Sequence, residues 1–144
     1  MPTWSSWVPW ALLSACFAAL TAVLAKLGVR DVDSNLATAI RTIIVVLLLV
    51  PAVVATGRWS NPFSLPPRTL AFLALSAAAT GASWLCYFRA LQLGDVTKVA
   101  LVDKTSVVLV ILFAFVFLGE RPSVRDWIAI ALVLLGIGML VLKR

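Results

Sequence analysis

Histidine is absent from the 144 residues, which removes the commonest metal ligand and the side chain whose charge changes near neutral pH. Acid is scarce as well, with six Asp and Glu against twelve Lys and Arg. The two cysteines, Cys16 and Cys86, have no ligand spacing and make no disulfide framework, so they read as apolar packing residues. With no His, no metal cluster and no Ser or Cys beside a plausible base, neither an enzyme nor a cofactor or metal is expected. Charge of either sign is thin, at 12% of residues, whereas 62% are hydrophobic and the mean hydropathy is +1.07. That balance lies far outside soluble domains and places the chain in a bilayer.

Crossing about 30 Å of hydrocarbon takes about 20 apolar residues, and five such windows are present: Pro9–Gly28, Leu36–Thr56, Thr69–Leu91, Val96–Leu118 and Val124–Leu142. Turn-forming breaks separate them, among them Asp31 to Asn35, the proline-bearing stretch Gly57 to Arg68, and Gly119 to Ser123. The expectation is an all-α integral membrane protein of five helices in a single domain, 1–144, with most residues inside spans. The first window follows a leader without Lys or Arg and continues past a typical signal core, so it reads as a retained helix.

A net charge of +6 would suggest nucleic acid in a soluble protein. Here the basic residues sit in short loops and at helix ends, where they set orientation, and no nucleic acid partner is expected. Five spans put Arg58, Arg68, Arg121 and Arg125 on the N-terminal side of the membrane. Arg30, Arg89, Lys143 and Arg144 fall on the other side, joined by Lys26, Arg41 and Lys98 if helix ends are counted. The bias leans weakly to a cytoplasmic C-terminus and would permit insertion both ways up. Trp4, Trp7, Trp10, Trp59 and Trp127 gather on the N-terminal side, where indoles anchor at headgroups. Trp84 alone lies within a span, as packing or as a ligand contact.

Charges inside the spans differ in depth. Lys26, Arg89 and Lys98 lie about 3 Å from helix ends and can snorkel to the interface. Arg41 lies about 8 Å inside the second window and Asp103 about 10 Å inside the fourth, both from the C-terminal side. Aspartate has no stem for snorkelling, and a central charge costs at least about 2.5 to 3.5 kcal/mol, so Asp103 should face a partner or a wet cavity. Arg41 is the opposite charge at matching depth. Lys104, adjacent to Asp103, projects about 100° away around the helix, so the two cannot point the same way. A register-fixing ion pair and a place in a substrate or coupling-ion path both fit.

The third window carries a polar stripe: Ser76, Thr80, Ser83 and Tyr87, spaced 4, 3 and 4 residues apart, share one face, with Trp84 beside it. Such hydroxyls bond to a neighbouring helix or line a wet cavity. In the fifth window Ala129, Ala131, Gly136 and Gly138 offer close approach for dimer or helix packing.

Several segments together resemble an EamA domain of the drug/metabolite transporter superfamily. They are VALVDKTSV at 99–107, FLGER at 117–121, DWIAIALVLLGIGMLVL from Asp126, SWLCYFRALQLGDVTKVA at 83–100, and the pair Arg41 and Thr42. The resemblance covers nearly the whole chain. It implies a five-helix unit that most relatives carry twice in one chain as inverted repeats, with the substrate path between the halves. This sequence has a single unit, so a homodimer, and an antiparallel one in particular, would restore the inverted symmetry.

The resemblance therefore implies a secondary transporter working by alternating access in a prokaryotic inner membrane, with Asp103, Lys104, Arg41, Trp84, Tyr87, Thr80 and Ser83 as candidate path residues. Its partners would be a small-molecule solute, the lipid bilayer and a second copy of the chain. Small multidrug resistance relatives use a glutamate in the first helix, and no Asp or Glu occurs between Pro9 and Gly28. Arg41 and Lys104 favour an anionic or zwitterionic solute such as an amino acid or organic acid. The alternatives are a cationic drug exporter in which Asp103 takes over that task, and a helical membrane scaffold that transports nothing.

Overall fold

A computed structural model describes residues 7–141, and among these the regular structure is entirely helical. Trp4, Leu142, Lys143 and Arg144, which enter the anchoring, span and orientation arguments above, lie outside the described residues. The chain divides into two compact units, Met1–Leu93 and Gly94–Arg144.

The first unit holds α1 (Val8–Gly28), α2 (Ser34–Ala55) and α3 (Pro67–Leu93), with a short 3-10 turn at Pro62–Ser64. Proline opens α1, where its missing N–H costs nothing. The Asp33 carboxylate caps α2 by accepting the amides of Asn35 and Leu36 at 2.9 and 3.1 Å, satisfying donors that the first helical turn leaves open. Gly57 follows α2 with φ +66°, a left-handed residue at the helix end. Asn61 then turns the loop by accepting the Phe63 amide at 3.0 Å.

Burial in this unit is concentrated at one end. Among its described residues, Ala22, Val29, Ser34, Thr38, Phe88 and Leu91 are buried, and they lie where α1 finishes, α2 starts and α3 finishes. Toward the other end Trp7, Trp10 and Trp59 are exposed, as indoles at a headgroup layer would be. Between the ends, leucines such as Leu47 and Leu48 point outward at 66% and 67% exposure. Such an outward face suits lipid, where the only obligation is that every backbone group be satisfied within its own helix. Threonines inside the helices follow that rule, Thr38 and Thr42 donating back to the carbonyls of Ser34 and Thr38 at 2.8 Å each.

The second unit holds α4 (Val96–Asp103), α5 (Thr105–Phe113), a wider π turn at Ala114–Leu118, and α6 (Val124–Val141). The fourth window keeps its expected limits but is not one regular helix, a departure from the sequence reading. Gly119 closes it at φ +67°, and the Glu120 amide reaches back to the Ala114 carbonyl at 3.2 Å. Ser123 and Asp126 form a reciprocal cap at the start of α6: the Asp126 carboxylate accepts the Ser123 amide at 2.7 Å, and the Ser123 hydroxyl oxygen accepts the Asp126 amide at 3.4 Å. Ile130 and Ile137, seven residues apart on one face of α6, are the buried apolar residues among those described in this unit.

Among the described residues, four segments, Val8–Gly28, Ser34–Ala55, Pro67–Leu93 and Val96–Leu118, are long and apolar enough to cross a membrane. The apolar helix α6 runs to the limit of the described residues. The architecture is all-α, with the helices that a five-span membrane unit requires.

Candidate functional site

Arg41 is the first of the intramembrane charges to find a partner. Its guanidinium carbon stands 4.3 Å from the centroid of the Trp84 ring and 5.5 Å from that of Phe88. Trp84 and Phe88 are four residues apart on α3, so their rings stack along one face, and α2 packs against that helix. A cation on aromatic faces in a desolvated setting gains about 2 kcal/mol, which offsets part of the cost of holding charge among lipid tails. Depth matches Arg41 with Asp103, which lies in the other unit; within its own unit the guanidinium rests on these aromatic rings. Phe88 was missed as a site residue. The i, i+4 spacing from Trp84 was the available clue.

Beside Arg41 runs a cavity of about 390 Å³ between α1 and α2. Its walls are apolar, with Leu24, Val32, Ile40 and Ile44 among them, and Thr21, Arg41 and Phe88 also contribute. None of the described hydrogen bonds uses the Arg41 N–H groups. A planar guanidinium that stacks through its face keeps its donor edge available for a planar anion. The result is one fixed cation on the wall of an apolar groove.

The α3 stripe is exposed at Ser76, Thr80 and Ser83, while Trp84 and Tyr87 are half-buried. Thr80 spends its hydroxyl proton on the Ser76 carbonyl at 2.9 Å, so it offers an acceptor outward rather than a bond to another helix. The structure thus brings Trp84 to Arg41 and leaves the three hydroxyl residues on the unit's surface.

Asp103 and Lys104 lie in the second unit, where the fourth span is interrupted between them and Thr105. The Lys104 amide bonds to Leu101 at 3.1 Å and the Val107 amide to Lys104 at 3.1 Å, each one residue shorter than an α-helical bond. The Thr105 hydroxyl donates to the Val102 carbonyl at 2.8 Å. Main-chain bonds that a continuous helix would give to Ala100 and Asp103 are replaced by these shorter ones. Both Asp103 and Lys104 are exposed on the surface of their unit. A span broken at its one deep acid is the arrangement in which half-helix ends can meet an ion or a polar group.

On α6, Ala129, Ala131 and Gly136 are exposed and Gly138 is half-buried. A methyl group added at Gly136 or Gly138 would meet open space, so neither glycine serves a close approach within the described chain. Lys98 forms an exposed ion pair with Asp95 at 2.9 Å at the start of α4. Lys26 instead turns inward and donates to the Leu91 carbonyl.

Comparison with known proteins adds two matches. The model of the EamA-like transporter family matches residues 5–142, across both units. A protein of Sinorhizobium sp. named "Uncharacterized transporter in cobO 3'region" is 53% identical over 131 residues, covering 91% of this chain and 93% of that protein. No solved structure matches.

Proposed function

The chain belongs to the EamA-like transporter family, and on that premise we propose that this membrane transporter moves a small anionic or zwitterionic metabolite, an amino acid or organic acid. The observation that carries the proposal is Arg41, held over Trp84 and Phe88 on the wall of an apolar groove. A carboxylate would meet the donor edge of the guanidinium, and an apolar remainder would lie along Leu24 and Ile40. Tyr87, Thr80 and Ser83 would continue the polar path along α3, with Lys104 and Asp103 supplying the charges at the interrupted span.

Alternating access would proceed in a homodimer in a prokaryotic inner membrane. One five-helix unit of this kind spans 93% of the Sinorhizobium relative as well, and an antiparallel pair would supply the inverted repeat. Ala129, Ala131, Gly136 and Gly138 supply small residues for such an association. Cross-linking of single cysteines placed in the loops would decide its orientation: links only between like ends would exclude the antiparallel pair.

A second reading draws on Asp103, the one acid deep within an apolar span, which suits a cationic drug or a coupling cation. A flux screen in reconstituted vesicles, with and without a pH gradient, separates the two. The first reading expects uptake of amino acids or organic acids. Flux of a cationic dye with no response to those solutes would replace it with the second.

A further inference from the structure

The end of the first unit where α1 and α3 finish is its most completely packed part, with Val29 at 1% and Leu91 at 0% exposure. Over that floor lies a second cavity of about 260 Å³, lined by Lys26, Val29, Arg30, Leu91 and Gln92. Its volume far exceeds the roughly 30 Å³ share of one water. The charged groups in the lining are both cationic, and none of the chain's six acids contributes to it. Its position is the membrane face, because Lys26 lies in the last turn of α1 and Gln92 in the last turn of α3.

Two helix C-termini would ordinarily present open carbonyl oxygens here and disfavour an anion. The Leu91 and Val29 carbonyls among them are already engaged. The Lys26 ammonium donates to the Leu91 carbonyl, and the Gln92 side-chain amide donates to the carbonyls of Val29 and Val32 at 3.1 and 2.7 Å. Arg89 donates to the Gln92 side-chain oxygen at 3.1 Å, which orients that amide and brings a third cation alongside. In the adjoining loop the Asp33 carboxylate is occupied as the cap of α2, and Asp31 is exposed and outside the lining. None of the described hydrogen bonds uses the Arg30 guanidinium.

The geometry points to a binding site for a phosphate-bearing anion at this membrane face, held by Lys26 and Arg30. A guanidinium fork matches two phosphate oxygens, and the ammonium adds a point charge. The phosphate has two possible sources, the headgroup of an anionic phospholipid in the adjoining leaflet or a soluble phosphate anion. The site is independent of which solute the protein transports.

Thermal unfolding of the full chain in an uncharged detergent, followed by tryptophan fluorescence, tests the site. Phosphatidylglycerol, phosphatidylcholine and inorganic phosphate are titrated separately. The expected result is a saturable rise of the midpoint with phosphatidylglycerol or inorganic phosphate beyond that with phosphatidylcholine. Stabilisation by the lipid alone assigns the site to a headgroup, and stabilisation by inorganic phosphate assigns it to a soluble anion. Arg30→Gln, at an exposed residue, should move the half-saturating concentration up about fivefold, the contribution of one basic residue near a membrane surface. Lys26→Gln should act in the same direction, and Arg58→Gln, in the loop after α2, should leave the titration in place. The proposal is overturned if neither ligand stabilises beyond phosphatidylcholine, if Arg30→Gln titrates as the wild type does, or if Arg58→Gln has the same effect as Arg30→Gln.

Discussion

Arg41 meets two requirements that usually oppose each other: it keeps a charge in the apolar interior and keeps that charge usable. The rings of Trp84 and Phe88 take the face of the guanidinium, and stacking of this kind depends on a planar cation. Arg41→Lys preserves the charge but loses the planar fork, so thermal stability should fall by about 1 to 2 kcal/mol and solute flux should fall with it. Unchanged melting and flux would show that the stacking contributes nothing. Asp33 tests a plainer effect. Its carboxylate caps α2, and Asp33→Ala should cost about 1 kcal/mol by thermal unfolding, whereas Asp33→Asn should recover most of that loss. At this scale the sequence was informative about which charges are costly, because depth follows from the rise per residue. The aromatic contacts of Arg41 were hidden, because rotation of α2 against α3 decides which residues meet.

The interrupted fourth span shows where element-level reading succeeds and stops. Its limits, Val96 and Leu118, follow from the apolar run and the Leu93 to Asp95 and Gly119 breaks. The interruption at Lys104 does not follow, since Asp, Lys, Thr and Ser in succession are each tolerable in a helix and only together weaken the ladder. Amide exchange at Lys104 and Val107 should be faster than at Val99. Replacing Asp103 and Lys104 together by leucine should slow that exchange and abolish flux. Equal exchange along the whole span would argue for a continuous helix in the membrane. The ends of the elements give a second comparison. Gly119 sits at φ +67°, so Gly119→Ala should destabilise by about 1 to 2 kcal/mol. Gly81→Ala lies within α3 with no atom near the added methyl, and it should be neutral or stabilising by up to about 1 kcal/mol. Thermal unfolding of the two variants side by side checks the contrast.

At the scale of the whole molecule, the chain exposes most of its apolar side chains and buries few, the reverse of a soluble domain and the normal state of a protein that uses lipid as solvent. Composition alone made this legible, and the segments at 83–107 and 117–142 carried the family. The solute path was less legible. The exposed stripe on α3 and the small residues on α6 show surfaces that invite a neighbour, but helical spacing does not say which neighbour. The central claim, that Arg41 receives the carboxylate of a transported metabolite, is tested most directly by uptake of radiolabelled amino acids and organic acids into vesicles containing wild-type or Arg41→Gln protein at equal reconstitution. The account predicts saturable uptake of at least one such solute by the wild type and a loss of tenfold or more in Arg41→Gln, about 1.4 kcal/mol or more. Equal uptake by the two proteins would contradict it.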